Sequence, residues 1–234
     1  MSQHEEDLAF DPAEFDGRAR LFPLPNLVLF PHVIQPLRVF EPRYVELLHD
    51  ALASDKLITM ALLAHGWESD YEGRPPIEPV ACLGRVLTWQ AQPKGQFNLL
   101  LIGLRRVRIA TELPPERKFR EAEVEVLDDY FAPAGAEDRP CLQRKLLDAY
   151  EAMLPCVEDS EELFNQVAAK NISLGALTDV ISYALDLNVC EKQVLLGELD
   201  VDRRARRLLE HLHAAREHER PTLSGAFPPG FSVN

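Results

Sequence analysis

Seven histidines raise the question of a metal site. His211 and His213 are two apart in a segment of helical pattern. At about 100° per residue they point roughly 200° apart and cannot close on one ion. His218-Glu219 lacks the second histidine that a metalloprotease helix needs. His32, between Pro31 and Val33, has the setting of a turn. None of these has the spacing of a zinc site, and neither a metal nor any other cofactor is expected. The acidic group Glu158, Asp159, Glu161 and Glu162 has the composition of an acid–base pair. A helix start stabilised by the helix dipole accounts for the same residues. Ser54 and Ser182 lack the strand–turn–helix context that exposes a nucleophile. Cys82 borders an apolar run and reads as a small core residue. The four cysteines, Cys82, Cys141, Cys156 and Cys190, are far apart and form no Cys-x-x-Cys pair. They read as reduced and mostly buried. No catalytic constellation emerges.

Charged and aromatic side chains point to binding instead. Arg105, Arg106 and Arg108 put three positive charges into four residues. On a strand, Arg106 and Arg108 share the face opposite Arg105. Such a strand could hold nucleic acid, or Arg106 could pair with a carboxylate or carbonyl and lock the fold. A net charge of −13 favours the structural role, because an acidic surface repels phosphate. Nucleic acid is therefore not expected as a general partner. Arg203, Arg204, Arg206 and Arg207 read as a solvated helix face. Phe40 and Tyr44 flank a helix start that Pro42 can open. Phe40 is expected to staple that start; Tyr44 either joins it or contributes to an exposed apolar patch. Trp67 and Tyr71 sit in the polar loop "HGWESDYEGRPP". With Tyr44 they are the candidate polypeptide contacts, since aromatic side chains often anchor interfaces.

The scaffold for these groups reads in four parts. Residues 1–19 are an acidic flexible tail, unlike a secretion signal or a mitochondrial presequence. Residues 20–131 are β-rich. "KLITMALLA" (56–64) reads as a buried strand, and residues 84–103 as two strands around a Pro93-Lys94-Gly95 hairpin. In "EAEVEVL", Ala122, Val124 and Val126 alternate with Glu121, Glu123 and Glu125, which predicts a half-buried strand. One early helix presents Val45, Leu48 and Leu52 as a stripe. After the linker "YFAPAGAEDRP", residues 132–220 turn helical. Their stripes are Leu142/Leu146/Tyr150/Met153, then Leu177/Val180/Ile181/Ala184/Leu185, then Val201/Ala205/Leu208/Leu209/Leu212. Gly197 ends a short helix begun near Glu191. Residues 221–234 read as a flexible tail. No run of about 18 apolar residues occurs, so no membrane span and a cytoplasmic protein are expected.

The segment "LFPLPNLVLFPHVIQPLRVFEPRY" (21–44) is apolar yet holds Pro23, Pro25, Pro31, Pro36 and Pro42. Proline removes a ladder donor, so these are short extended pieces at edges and corners, wrapping the rim of a small barrel. Gly103, between "NLLLI" and "LRRVRI", marks a bend or a close backbone approach. Two further blocks follow: Leu83-Gly84-Arg85-Val86 with Gly103 to Ile109, and "EKQVLLGELDVDRRARRLLEHL" (191–212). In this order the blocks resemble the N-terminal substrate-binding domain of the Lon proteases, found also in stand-alone Lon-domain proteins. The resemblance covers about residues 20–215.

It implies an α+β fold: a PUA-like β pseudo-barrel with one early helix, followed by a C-terminal helical bundle. Pro23, Pro31, Pro36, Phe40, Pro42, Gly84, Gly103 and Arg106 would be its structural positions. It also implies capture of client polypeptides. No G-x-x-x-x-G-K-[ST] phosphate loop is present, and no ATPase or Ser-Lys peptidase module fits after residue 220. The expectation is a non-enzymatic adaptor or holdase for unfolded polypeptides, with a protease as a further partner. The alternative is an RNA- or nucleotide-binding PUA-like domain. A clustered basic groove would favour that alternative, and an apolar cleft would favour polypeptide.

Overall fold

The structure is a computed structural model that describes residues 10–71, 73–153, 172–217 and 232–233. The chain forms two compact units, one of Met1–Leu127 with Gly225–Asn234 and one of Asp128–Ser224.

The first unit contains β1 (Arg18–Leu24), β2 (Ile34–Val39), α1 (Pro42–Leu52), β3 (Leu57–Leu62), β4 (Val80–Gln92), β5 (Gln96–Glu112), β6 (Arg120–Leu127) and β7 (Ser232–Val233). Among the described residues the sheet order is β4-β3-β1-β6-β5-β2-β7, and β4 also pairs with β5. That second pairing closes β1, β3, β4, β5 and β6 into a ring, which leaves them few unpaired edges. β2 and β7 extend from it. Leu21, Leu57, Leu83, Leu104, Val107 and Val124 fill the interior. The turn after β4 has positive φ at Lys94 and Gly95, as a tight hairpin requires.

β5 explains the proline-rich segment. Its residues Phe97–Ile102 pair with β2, and Arg106–Glu112 pair with β6. Gly103 lies where the strand passes from one partner to the other. There the chain around Pro31 crosses it: His32 N–H donates to the Gly103 carbonyl and Gly103 N–H to the Val33 carbonyl, both at 2.8 Å. A Cβ on Gly103 would stand 2.0 Å from the Phe30 carbonyl oxygen. Pro23 pairs with β3 beyond the point where β6 stops pairing with β1. Pro23 thus avoids a doubly paired position, and Pro25, Pro31 and Pro42 lie outside the strands, as a missing donor demands.

Several details depart from the sequence-based expectation. Phe10 and Phe15 pack on the barrel core and β1 begins at Arg18, so residues 10–19 are not a loose tail. Residues 1–9 lie outside the described residues. α1 buries Tyr44, Leu47, Leu48 and Ala51 rather than a Val45–Leu52 stripe. Phe40 is 37% exposed, so it is not the buried staple expected. β6 alternates from Ala122 on, but Glu121 is buried, forked by Arg18 through Nε and Nη2. Arg106 is buried at 3% exposure. In the final segment, β7 pairs in parallel with Leu37 and Arg38 of β2, so these two residues are not loose.

The second unit contains α2 (Arg139–Glu151), α3 (Leu174–Ala184), α4 (Val189–Gly197) and α5 (Val201–Glu217). Ser173 caps α3, and Asn188 with Glu191 forms a capping box on α4. Leu146, Leu177, Ile181, Leu185, Val201, Ala205, Leu208 and Leu212 are buried, as the stripes predict. Arg204 is a correction: it is 0% exposed, not solvated. The linker is also ordered, with Tyr130 N–H donating to Leu199 and the Tyr130 carbonyl accepting from Val201. Cys82 is buried, but Cys141 and Cys190 are exposed. The acidic group at 158–162, Cys156 and His218 lie outside the described residues.

Candidate functional site

The start of α1 and the 3₁₀ turn Trp67–Asp70 bring the candidate aromatics together. Glu41 occupies the N-cap of α1 but makes no side-chain cap. Its carboxylate instead accepts from the Tyr71 hydroxyl at 2.8 Å and from Arg43 Nε at 2.9 Å. The Arg43 guanidinium stands 4.8 Å from the ring centres of both Tyr44 and Tyr71. This cation–π pairing lets it hold the two rings in place. Arg43 Nη1 also donates to the Tyr71 carbonyl at 3.2 Å. Trp67 meets Tyr71 edge-on, with ring centres 5.5 Å apart. Burial, and then the Glu41 hydrogen bond, push the Tyr71 phenol pKa up, so it remains a donor.

Trp67 and Tyr71 are half-buried at the surface. Tyr44 is 2% exposed, packs on Phe22 and donates its hydroxyl to the Pro23 carbonyl at 3.0 Å. Burial pushes its pKa up. A ring packed this deeply has little surface left for a partner; it forms the base of the cluster. Pro23, through its carbonyl, and Pro42, between Glu41 and Arg43, adjoin the cluster, whereas Gly84 lies opposite Gly103 on the β4–β5 ladder. Sequence reasoning missed Glu41 and Arg43 as the groups that position the aromatics. It also missed Trp89, 47% exposed on β4.

Beside the cluster lies a cleft of about 260 Å³, whose cationic wall is Arg43, Arg74, Arg117, Lys118 and Arg120. Tyr44, Phe119 and Pro115 supply its apolar part. The run Arg117-Lys118-Phe119-Arg120 was the available sequence signal: cations interleaved with an aromatic. Among the described residues, no group of three or more His, Cys, Asp or Glu could hold a metal ion. No helix there is long and apolar enough to cross a membrane.

The sequence model of the family described as ATP-dependent protease La (LON) substrate-binding domain matches residues 18–214. The chain is 29% identical over 196 residues to a Lon protease of Dictyoglomus thermophilum, covering 82% of this chain and 24% of that protein. It is 29% identical over 200 residues to a Lon protease of Heliobacterium modesticaldum, covering 85% and 24%. The chain thus spans about a quarter of the length of these curated relatives. The N-terminal domain of the Mycobacterium avium complex Lon protease superposes with a TM-score of 0.65 at 18% identity, over 84% of this chain and 98% of that one. A Lon N-terminal domain protein from Xanthomonas campestris gives 0.58 at 23% identity, over 82% and 97%. At such identities the structural likeness is one of fold.

Proposed function

Because the chain belongs to the family of the ATP-dependent protease La (LON) substrate-binding domain, we propose that it is a non-catalytic polypeptide-binding module. It acts as an adaptor or holdase for unfolded clients in the cytoplasm, with a protease as a further partner. The observation that carries this reading is the braced aromatic pair, Trp67 on Tyr71, held by Arg43 and Glu41. Rings already fixed lose little entropy when a partner's apolar side chain packs on them. The contact is shallow, so affinity is near micromolar, about 8 kcal/mol.

A second reading, RNA binding, draws on the cationic wall of the cleft. Against it stand the net charge of −13 and the form of the site. Single-stranded RNA is held by a groove that tracks several phosphates, not by one small pit.

The test is titration of a labelled unfolded protein and a labelled single-stranded RNA at two salt concentrations. Polypeptide binding that falls with salt far less than RNA binding would is expected, with Trp67→Ala weakening it about tenfold. Tight RNA binding that falls steeply with salt, without polypeptide binding, would overturn the proposal.

A further inference from the structure

We propose that the cleft beside the aromatic pair receives a carboxylate of the bound polypeptide, from an aspartate or glutamate side chain or from the chain terminus. This rests on the polypeptide-binding reading above and gives it a chemical preference. In a chain of net charge −13, no acidic residue is found among the described residues lining the cleft. The carboxylates that pair with the wall are not among its lining residues. Glu112 is forked by Arg120, and Glu46 pairs with Lys118 at 3.4 Å. Asp50 and Glu121 both pair with Arg117. Two of these are divided among cations: Asp50 also serves Arg20, and Glu121 also serves Arg18. Arg74 is held through the Leu113 carbonyl, a neutral acceptor 3.0 Å from Nη1.

A guanidinium has five N–H donors in a fixed fork. One carboxylate uses two at most, so a braced arginine keeps donors for a second acceptor. The bracing also pre-orders the long side chains, which lowers the entropy cost of gripping an incoming anion. Arginine–carboxylate pairs are charge-assisted and can be bidentate. Tyr44, Phe119 and Pro115 give the methylene stem of an acidic residue an apolar wall to lie against. Arg43 belongs both to this wall and to the aromatic cluster, so one extended segment can reach both.

The experiment uses the full chain and fluorescein-labelled, unstructured peptides that differ only in Glu against Gln, each with an amidated or a free C-terminus. At low salt the Glu peptide should bind about tenfold tighter than its Gln twin. A gain on freeing the terminus assigns the carboxylate to the chain end; a gain from Glu alone assigns it to side chains. In the double variant Arg74→Gln, Lys118→Gln the difference between the twins should collapse. Melting curves confirm that this variant folds, and the wild-type comparison stands without it. Equal affinities for the twins in the wild type, with no gain on freeing the terminus, would overturn this inference while leaving polypeptide binding intact. A preference that survives in the double variant would overturn it too, as would displacement of the Glu peptide by single-stranded RNA at lower concentration. Binding of neither twin would overturn both proposals.

Discussion

In the barrel unit the tightest constraint is between two stretches of backbone. Gly103 exchanges hydrogen bonds with His32 and Val33, and has no room for a side chain. In the helical unit it is between one side chain and everything around it. Arg204, 0% exposed, donates Nε to Thr178 Oγ1 at 2.8 Å, Nη1 to the Glu198 carbonyl at 2.7 Å and Nη2 to Asp129 Oδ2 at 2.9 Å. Asp179, 1% exposed at its side chain, lies 3.7 Å from Nε. Gly175 is part of the same assembly, since a Cβ there would stand 2.3 Å from Asp129 Oδ2. A closed ring of strands distributes its stability over many ladders. In the helical unit α3, α5, the end of α4 and the linker residue Asp129 meet at one buried cation, which concentrates stability there. A buried ion network adds little net energy over an apolar core, yet breaking it is costly because the remaining charges stay buried.

The largest effect is therefore expected at Arg204. Arg204→Met keeps the stem and removes the charge, leaving Asp129 and Asp179 without their cation. The helical unit should lose about 3–5 kcal/mol, read as a lower denaturation midpoint by circular dichroism. A loss under 1 kcal/mol, about the size of a surface pair, would erase the contrast between the units. Gly103→Ala comes next. Its Cβ collides with backbone, which cannot rotate away, so about 1–3 kcal/mol should be lost from the barrel unit. An unchanged midpoint would mean that the crossing can open without cost.

The smallest effect concerns acid. Asp50 accepts from Arg20 Nε at 2.6 Å and pairs with Arg117. Burial alone would raise its pKa; the hydrogen bond and charge of Arg20, joined by Arg117, hold it below the ordinary 3.8. A depressed folded pKa contributes stability present above the unfolded value and lost as pH falls through the folded one. This part of the barrel's stability should thus fade below about pH 4. Because the group is partly exposed, it amounts to about 1 kcal/mol at most. Asp50→Asn should flatten the acid side of the stability curve; the same slope in variant and wild type would remove Asp50 from the account.

What was legible in the sequence was what depends on neighbours along the chain. Period-two alternation located β6, Pro93-Lys94-Gly95 located the hairpin, and the stripe Val201, Ala205, Leu208, Leu212 located the buried face of α5. The misreading of Arg204 is instructive. It follows Val201 by three and precedes Leu208 by four, so helical spacing places it on the buried stripe. Its neighbours Arg203, Arg206 and Arg207 are exposed, and composition alone made the four look alike. Trp67 and Tyr71 were visible as loop aromatics. Their bracing was not, because Glu41 and Arg43 lie on a different element and only the tertiary fold brings them together. The cleft was hidden for the same reason, its wall being assembled from three separate segments of the chain.

The central claim is that the barrel unit, through the Trp67–Tyr71–Arg43 cluster, is where polypeptide is held. The most direct measurement is an amide chemical-shift map of the isotope-labelled full chain, titrated with an unlabelled unfolded protein. Shifts should concentrate at residues 41–44 and 67–71 and be weakened together by Trp67→Ala. Shifts confined to residues 172–217, with 41–44 and 67–71 unmoved, would place binding on the helical unit and contradict the account.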